Sequence, residues 1–141
     1  MSVKVFLDTS IFVYELEVSE AKKSARAAEL IRNAIKTGQG VISYQVVQEF
    51  FNVALTRFVK PLAPAEAEHY LRTTFVPLLA VPSSPRLVSE GLRIKYTHRL
   101  SWYDSLIVAA ALQANCKTLY SEDLQSGRKL EGMTVENPFA D

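Results

Sequence analysis

Four acidic residues in this sequence are placed where they could share a binding site. Asp8 and Asp123 each follow a short apolar run typical of a buried strand, while Glu49 and Asp104 lie near the starts of two helix patterns. The carboxyl ends of parallel strands meet at one edge of a sheet, and the helices that follow strands begin at that edge. The topology therefore predicts that the four carboxylates converge.

Converging carboxylates repel one another, so without a cation the pKa of some of them would rise. A divalent ion removes this repulsion, and a set of oxygen ligands favours Mg²⁺ or Mn²⁺ over zinc. Such ions typically serve phosphoryl-transfer chemistry. The histidines, His69 and His98, stand near no strand end that carries an acid, and the single cysteine, Cys116, excludes an intramolecular disulfide and a cysteine-based metal site. A histidine-centred mechanism is therefore not favoured.

The acids also have purely structural interpretations. Asp8 suits the N-cap of a helix, Glu49 could be an exposed helix charge, and Asp104 follows Ser101 by three residues in a capping-box pattern. However, an ionised carboxylate on an otherwise buried helix is costly unless it is paired, hydrogen-bonded or bound to a cation. An acid in a capping box can keep one oxygen free, so capping and ligand binding are compatible.

Alternating strands and helices would position these acids. Helix patterns cover roughly 10–16, 21–37, 44–58, 65–75, 86–96 and 105–114, and strand patterns cover 5–7, 41–43, 117–121 and 133–135. The run 76–81 contains Pro77 and allows at most a short edge strand. The alternation predicts an α/β fold, with a mostly parallel sheet of four to five short strands, helices on both faces, and one domain over residues 1–141.

The composition is that of an ordinary globular chain. The 141 residues carry a net charge of +1, with 48% hydrophobic and 22% charged residues, so there is no global basic field. No signal peptide or membrane span is visible, and with one cysteine we expect a cytoplasmic protein. The densest basic cluster could contact RNA, but it equally suits a helix C-terminus. Its candidate RNA contacts are Arg93, Lys95, Tyr96 and Arg99.

Four segments carry a family resemblance. They are FLDTS at 6–10, QEFFN at 48–52, SWYDSLI at 101–107 and LYSEDL at 119–124. In this order, and in a chain of this length, they resemble the PIN domain family, and within it the short VapC-type toxins of toxin–antitoxin pairs. The resemblance extends over essentially the whole chain.

This resemblance implies a function and a set of site residues. VapC-type proteins are Mg²⁺- or Mn²⁺-dependent endoribonucleases that cleave tRNA or ribosomal RNA by metal-activated water, dimerise, and are silenced by a cognate antitoxin. The metal ligands and catalytic residues would be Asp8, Glu49, Asp104 and Asp123. Supporting hydroxyls would be Thr9, Ser10 and Ser121. Gln125 and Ser126 stand where some members have a further acid, so the number of metal ions stays open.

Two other functions are consistent with parts of the pattern. An aspartyl-phosphate phosphatase or a receiver domain also places an acid after the first strand. The second Asp that such a phosphatase needs two residues later is here Ser10, and the adjacent acids that a receiver needs near the first strand do not appear. A catalytically silent PIN-like scaffold that binds RNA or protein is the second alternative, although all four acids are present. For a homodimer, the candidate surfaces are exposed apolar residues of the helices at 46–58 and 65–75.

Overall fold

The computed structural model describes residues 3–17 and 19–140, and contains a six-stranded sheet. The strand order is β3-β2-β1-β4-β6-β5, and every neighbouring pair is parallel except β5 with β6. The predicted α/β class is therefore confirmed, with six strands in place of four to five. The strands are β1 (Val5–Leu7), β2 (Gly40–Ser43), β3 (Leu79–Val81), β4 (Thr118–Tyr120), β5 (Lys129–Leu130) and β6 (Met133–Glu136). Residues 1, 2, 18 and 141 of the predicted domain lie outside the described residues.

The helices follow the predicted pattern with several local differences; the last helix, for example, begins at Trp102 and not at Ser105. α3 ends at Ala54, four residues early; the fourth helix continues into a π-helical turn, Leu71–Phe75; and residues 76–78 are helical where a strand was expected to start. Pro77 is the second residue of this short helix, which continues directly from the π-helical turn. The helices are α1 (Thr9–Leu16), α2 (Ala21–Thr37), α3 (Tyr44–Ala54), α4 (Pro64–Tyr70), α5 (Val76–Leu78), α6 (Pro85–His98) and α7 (Trp102–Gln113).

Burial on both sides of the sheet shows why the strands are apolar runs and not alternating ones. Phe6 and Leu7 are neighbours that point to opposite faces, and both are fully buried. Helices α2 and α7 both contact β2, while α6 packs against α7 and α1 against α2 and α3. No helix of residues 3–17 and 19–140 is long and apolar enough to cross a membrane.

The strand order places β1 and β4 at the point where the connections reverse direction. From β1 the chain moves outward to β2 and β3, and it then returns to add β4 on the other side of β1. In open α/β sheets, the crevice beyond the carboxyl ends of such strands is the usual ligand site. The residues that follow β1 and β4 are Asp8 and Ser121, so the polar segments singled out in the sequence flank this crevice.

Candidate acidic active site

A cavity of about 410 Å³ opens at this crevice and is lined by five carboxylates. The four predicted acids all line it, although they come from the ends of β1 and β4 and from two different helices. Glu122 is the fifth, and sequence reasoning did not select it. The acids are Asp8, Glu49, Asp104, Glu122 and Asp123, joined by Thr9, Ser10, Tyr14 and Gln45 among the other lining residues.

Asp8 is the most buried member of the set, with 6% of its surface exposed. It is also the N-cap of α1, since its Oδ1 accepts the Thr9 backbone N–H at 2.7 Å. Its Oδ2 accepts the hydroxyl of Ser121 at 2.8 Å, and the Asp8 N–H donates to the Tyr120 carbonyl at 3.0 Å. The structural and site interpretations of Asp8 therefore coexist, because these bonds hold the carboxylate between β1 and β4.

The electrostatics of the cavity disfavour a charged Asp8. Burial raises the pKa of the Asp8 carboxyl to about 6, and the nearby Glu49 and Asp123 carboxylates raise it further, whereas the bonds from Thr9 and Ser121 oppose the shift. The pKa of Asp123 is also raised, first by burial and then by Asp104 and Glu122. Mutual repulsion is thus present in the structure, as expected for acids that converge without a cation.

Two hydroxyls predicted to support the site occupy different environments. The Thr9 hydroxyl donates to Glu49 Oε1 at 2.9 Å, which fixes the orientation of that carboxylate toward the start of α1. The hydroxyl of Ser10 is buried and has no hydrogen-bond partner among the described residues, yet Ser10 lines the cavity. An orphaned buried hydroxyl at a polar cavity calls for a water or ligand partner.

Asp104 is held by the capping geometry that the sequence predicted. Ser101 is the N-cap of α7, and its hydroxyl accepts the Asp104 backbone N–H at 3.2 Å. This bond uses the backbone of Asp104 and leaves both carboxylate oxygens available to the cavity. Asp123, in contrast, lies on the loop after β4 and is exposed.

Glu122 belongs to a polar network that sequence reasoning missed. Tyr14 donates its hydroxyl to Glu122 Oε1 at 2.5 Å, and the Lys23 ammonium bonds Oε2 at 2.7 Å. Burial alone raises the pKa of the Glu122 carboxyl, but the bonds from Lys23 and Tyr14 outweigh it and the net pKa is lowered. Glu122 is therefore an ionised carboxylate in the wall of the cavity, and the Lys23 ammonium bound to it balances its charge.

The predicted basic RNA contacts do not line the acidic cavity. Arg93 is bound by Glu90 and, through two nitrogens at 2.9 Å, by Glu131. Lys95 donates to the Leu100 carbonyl at 3.1 Å. Tyr96 and Arg99 are exposed, and Arg99 is the left-handed C-cap of α6. Much of this cluster therefore has a structural role, either in ending α6 or in binding α6 to the turn between β5 and β6. Its contact with RNA stays a prediction.

Replacing Glu131 by glutamine should lower stability in a pH-dependent way. Hydrogen bonds from Arg93 and then from His98 lower the pKa of Glu131 to about 2, below its ordinary value of 4.5. A lowered pKa means that the stabilisation is complete above pH 4.5 and is lost as the pH falls toward 2. These partly exposed pairs contribute no more than about 1 kcal/mol. Urea unfolding of both proteins at pH 7 and pH 3 should show a gap at pH 7 that shrinks at pH 3; a gap independent of pH would contradict this.

The donor chemistry of the cavity fits a hard divalent cation, but the acids are not drawn tightly together. All its candidate ligands are oxygens, the buried Asp8 carboxyl has a raised pKa, and the Ser10 hydroxyl lacks a partner. Within residues 3–17 and 19–140, however, no three acidic, histidine or cysteine side chains are arranged closely enough to hold one ion. Any bound cation would require the more exposed acids to move inward.

The fold and site together define an α/β domain with an acidic cleft at the switch point of a parallel sheet. The chain belongs to the PIN domain family, whose sequence profile matches residues 5–128. A search of curated protein sequences found no match.

Several solved structures share this fold. A toxin–antitoxin complex from Klebsiella pneumoniae is 17% identical, covers 96% of this chain and 98% of its own, and has a TM-score of 0.66. VapC20 of Mycobacterium tuberculosis, described as a toxin that cleaves the sarcin–ricin loop, is 20% identical over 85% of this chain and 90% of its own, also with a TM-score of 0.66. VapBC2 of Rickettsia felis, bound to a promoter DNA fragment, is 16% identical over 95% and 98%, with a TM-score of 0.66.

Proposed function

We propose that this protein is a divalent-metal-dependent endoribonuclease and the toxin of a toxin–antitoxin pair. The observation that carries the proposal is the single cavity that collects five carboxylates at the switch point of the sheet. Membership of the PIN domain family and the likeness in fold to toxins such as VapC20 support it. The substrate would be RNA, with tRNA and ribosomal RNA as the first candidates.

The metal would be Mg²⁺ or Mn²⁺, held by Asp8 and Asp104 together with Glu49 and Asp123. These are oxygen donors, and they repel one another in the free protein. When bound, such a cation supplies charge neutralisation at a phosphate and a lowered pKa for a coordinated water. Since Glu49, Asp104 and Asp123 are more exposed than Asp8, their side chains can close around an ion that Asp8 anchors.

The remaining residues of the cavity would position these acids and limit its negative charge. Ser121 and Thr9 fix the buried Asp8, and the Thr9 hydroxyl also orients Glu49. Lys23 neutralises Glu122, so the cleft presents one fewer uncompensated charge to an approaching phosphate. A phosphodiester is an anion, and each uncompensated carboxylate in the cleft opposes its entry.

Cleavage of RNA by the purified protein tests the proposal. Total cellular RNA would be incubated with wild-type protein in Mg²⁺, in Mn²⁺ and in EDTA, and with the Asp104→Asn variant. We expect discrete fragments that require metal and disappear in the variant. Attack by water should leave no 2′,3′-cyclic phosphate on the products, because a cyclic phosphate forms only when the neighbouring 2′-hydroxyl attacks.

Other outcomes would contradict the proposal in distinct ways. Fragments that persist in EDTA or in Asp104→Asn would exclude the acidic cavity as the site of cleavage. A folded wild-type protein that cuts no RNA and binds no metal would favour a catalytically silent PIN-like scaffold. Unfolding curves of wild type and Asp104→Asn provide the control, since Ser101 caps α7 through the Asp104 backbone and the fold should persist.

An antitoxin partner and a homodimer complete the proposal. Structures of the same fold include toxin–antitoxin complexes from Klebsiella pneumoniae and Rickettsia felis, which supports a protein partner for this chain. Sedimentation of the isolated protein tests the dimer, and a purely monomeric species at micromolar concentration would contradict it.

A further inference from the structure

A second cavity, of about 380 Å³, adjoins the acidic cavity and has a different chemistry. Gln45 and Glu49 line both, so the two cavities lie side by side along α3. The second cavity is otherwise lined by Gln48, Asn52 and Tyr103. We call it the amide–tyrosine cavity. Apart from Glu49 on the shared wall, its lining side chains are uncharged and polar.

The amides of this cavity form one stripe on α3. Gln45, Gln48 and Asn52 follow at helical spacing of three and four residues, which places them on the same face of the helix. The Gln45 carboxamide is already hydrogen-bonded within the protein, because its Nε2 donates to the Tyr103 carbonyl at 3.0 Å. Gln48 and Asn52 are exposed, and in the part of the chain that the structure describes no hydrogen bond engages either carboxamide.

Tyr103 supplies an aromatic surface at the opposite wall. Its side chain is 63% exposed although it lies beside Asp104 in the first turn of α7. The bond from Gln45 to the Tyr103 backbone ties α3 to α7, so the wall carrying the ring is held next to the acids. Large exposed aromatic side chains next to a polar cleft are typical of surfaces that stack on nucleobases.

We propose that the amide–tyrosine cavity is a nucleobase subsite that binds an unstacked base of a single-stranded RNA next to the cleaved phosphate. Tyr103 stacks on the base, and the Gln48 and Asn52 carboxamides bond its edge. A carboxamide offers a donor and an acceptor side by side, which matches the N6 and N7 positions of adenine, so adenine is the preferred base. This assignment rests on the proposed ribonuclease function and names the part of the RNA substrate, a single base, that the protein would recognise.

A binding experiment tests the subsite without requiring cleavage. The Asp8→Asn protein would be titrated in Mg²⁺ against fluorescent hexaribonucleotides of A, C, G and U, with anisotropy as the readout. We expect the adenine hexamer to bind most tightly. Tyr103→Ala should weaken all four about tenfold, and Gln48→Ala combined with Asn52→Ala should remove the preference for adenine.

Two matched variants act as controls. Tyr44→Ala removes a tyrosine that is 46% exposed but lines neither cavity, and Gln113→Ala removes an exposed glutamine at the end of α7. Both should leave affinity and preference unchanged. The subsite is overturned if the double variant keeps the preference, if the parent shows none, or if Tyr44→Ala weakens binding as much as Tyr103→Ala.

A cleavage experiment separates this inference from the proposed function. Wild-type protein and the Gln48→Ala, Asn52→Ala double variant would cut a randomised single-stranded RNA pool, and the ends would be sequenced. We expect a base bias beside the cut that the double variant loses while metal-dependent cleavage continues; an unchanged bias would overturn the subsite. Absence of all cleavage by wild type would contradict the ribonuclease function, whereas an adenine preference that the double variant loses in the first experiment would still support a nucleobase-binding cavity beside the acids.

Discussion

Asp8→Asn should lower RNA cleavage by about a hundred- to a thousand-fold and, at the same time, stabilise the metal-free protein at pH 8. The loss of cleavage follows because Asp8 is the buried acid that would anchor the cation, and removal of one strong electrostatic group from a catalytic site typically costs that much. The gain in stability follows because a neutral amide replaces a carboxylate that is costly to ionise where it lies.

The size of the stability effect depends on pH. The pKa of Asp8 in the folded protein is about 6, above the ordinary value of 3.8. The contribution of Asp8 to the free energy of unfolding is therefore most favourable below pH 3.8 and is lost as the pH rises through 6. In the metal-free state at pH 8, Asp8→Asn should therefore be more stable by roughly 1–3 kcal/mol. At pH 4 the difference should largely vanish, because Asp8 is then mostly protonated in the folded protein.

Thermal or urea unfolding in EDTA at the two pH values measures this effect. Asp123→Asn is the matched control: it lies in the same cavity but is exposed, so its gain in stability should be smaller. Added Mg²⁺ should stabilise wild type and not Asp8→Asn, since ligands that bind only the folded state raise its stability. A lower stability for Asp8→Asn at pH 8 would show that the bonds from Thr9 and Ser121 outweigh the cost of burial.

Phe50→Ala should destabilise the protein by about 3–5 kcal/mol. Phe50 is fully buried next to Glu49 in the chain, stacks on Tyr70 at a centroid distance of 5.0 Å, and meets Phe75 edge-on at 5.1 Å. Truncation would leave a cavity where α3 meets the segment from α4 to α5. Urea unfolding at pH 7, with the slope compared between variants, measures the loss.

Phe51→Ala provides the comparison on the same helix. Phe51 also contacts Phe50 and Phe75, but it is only partly buried, so its truncation should cost clearly less than that of Phe50. Because Phe50 anchors the helix that carries Glu49, Phe50→Ala should also reduce cleavage under conditions where the protein remains folded. Equal losses of stability in the two variants would contradict the central role of Phe50 in this aromatic cluster.

The parts of the site that the sequence could predict are those in which a local signal and the topology agree. Asp8 follows a short apolar strand, and Asp104 follows a serine cap on an apolar helix, so position along the chain already placed both at one sheet edge. Glu49 needed only the start of its helix at the end of β2. In each case the direction of a single strand or helix decides at which edge of the sheet the side chain lies.

The Lys23–Glu122–Tyr14 network could not be found in that way. Lys23 and Glu122 are separated by 99 positions, and Lys23 lies among other basic residues on α2 that are typical of a solvated helix face. Only packing of α2 against the loop after β4 brings them together. The same reasoning explains the basic cluster of α6, where the pairing of Arg93 with Glu131, 38 positions away, leaves no local signal.

The fold departs from the sequence prediction where the signals were short. β5 has two residues and pairs antiparallel with β6 across a turn at Glu131 and Gly132, both with positive φ. β2 begins at Gly40, one residue before the predicted strand 41–43, and a side chain at Gly40 would clash with Ala34 and Leu78. Such close packing between distant elements is not encoded in any short segment.

Calorimetric titration of Mn²⁺ into the metal-free protein tests the central claim most directly, because the acids must close around an ion that the free protein does not tightly enclose. At pH 6 we predict saturable binding with release of protons, measurable as a dependence of the heat on the buffer, because Asp8, with a pKa of about 6, must lose its proton to bind. Asp8→Asn and Asp104→Asn should each abolish or greatly weaken the binding. A folded wild-type protein that gives no binding heat, or an Asp8→Asn variant that binds as well as wild type, would contradict a metal site at this cavity.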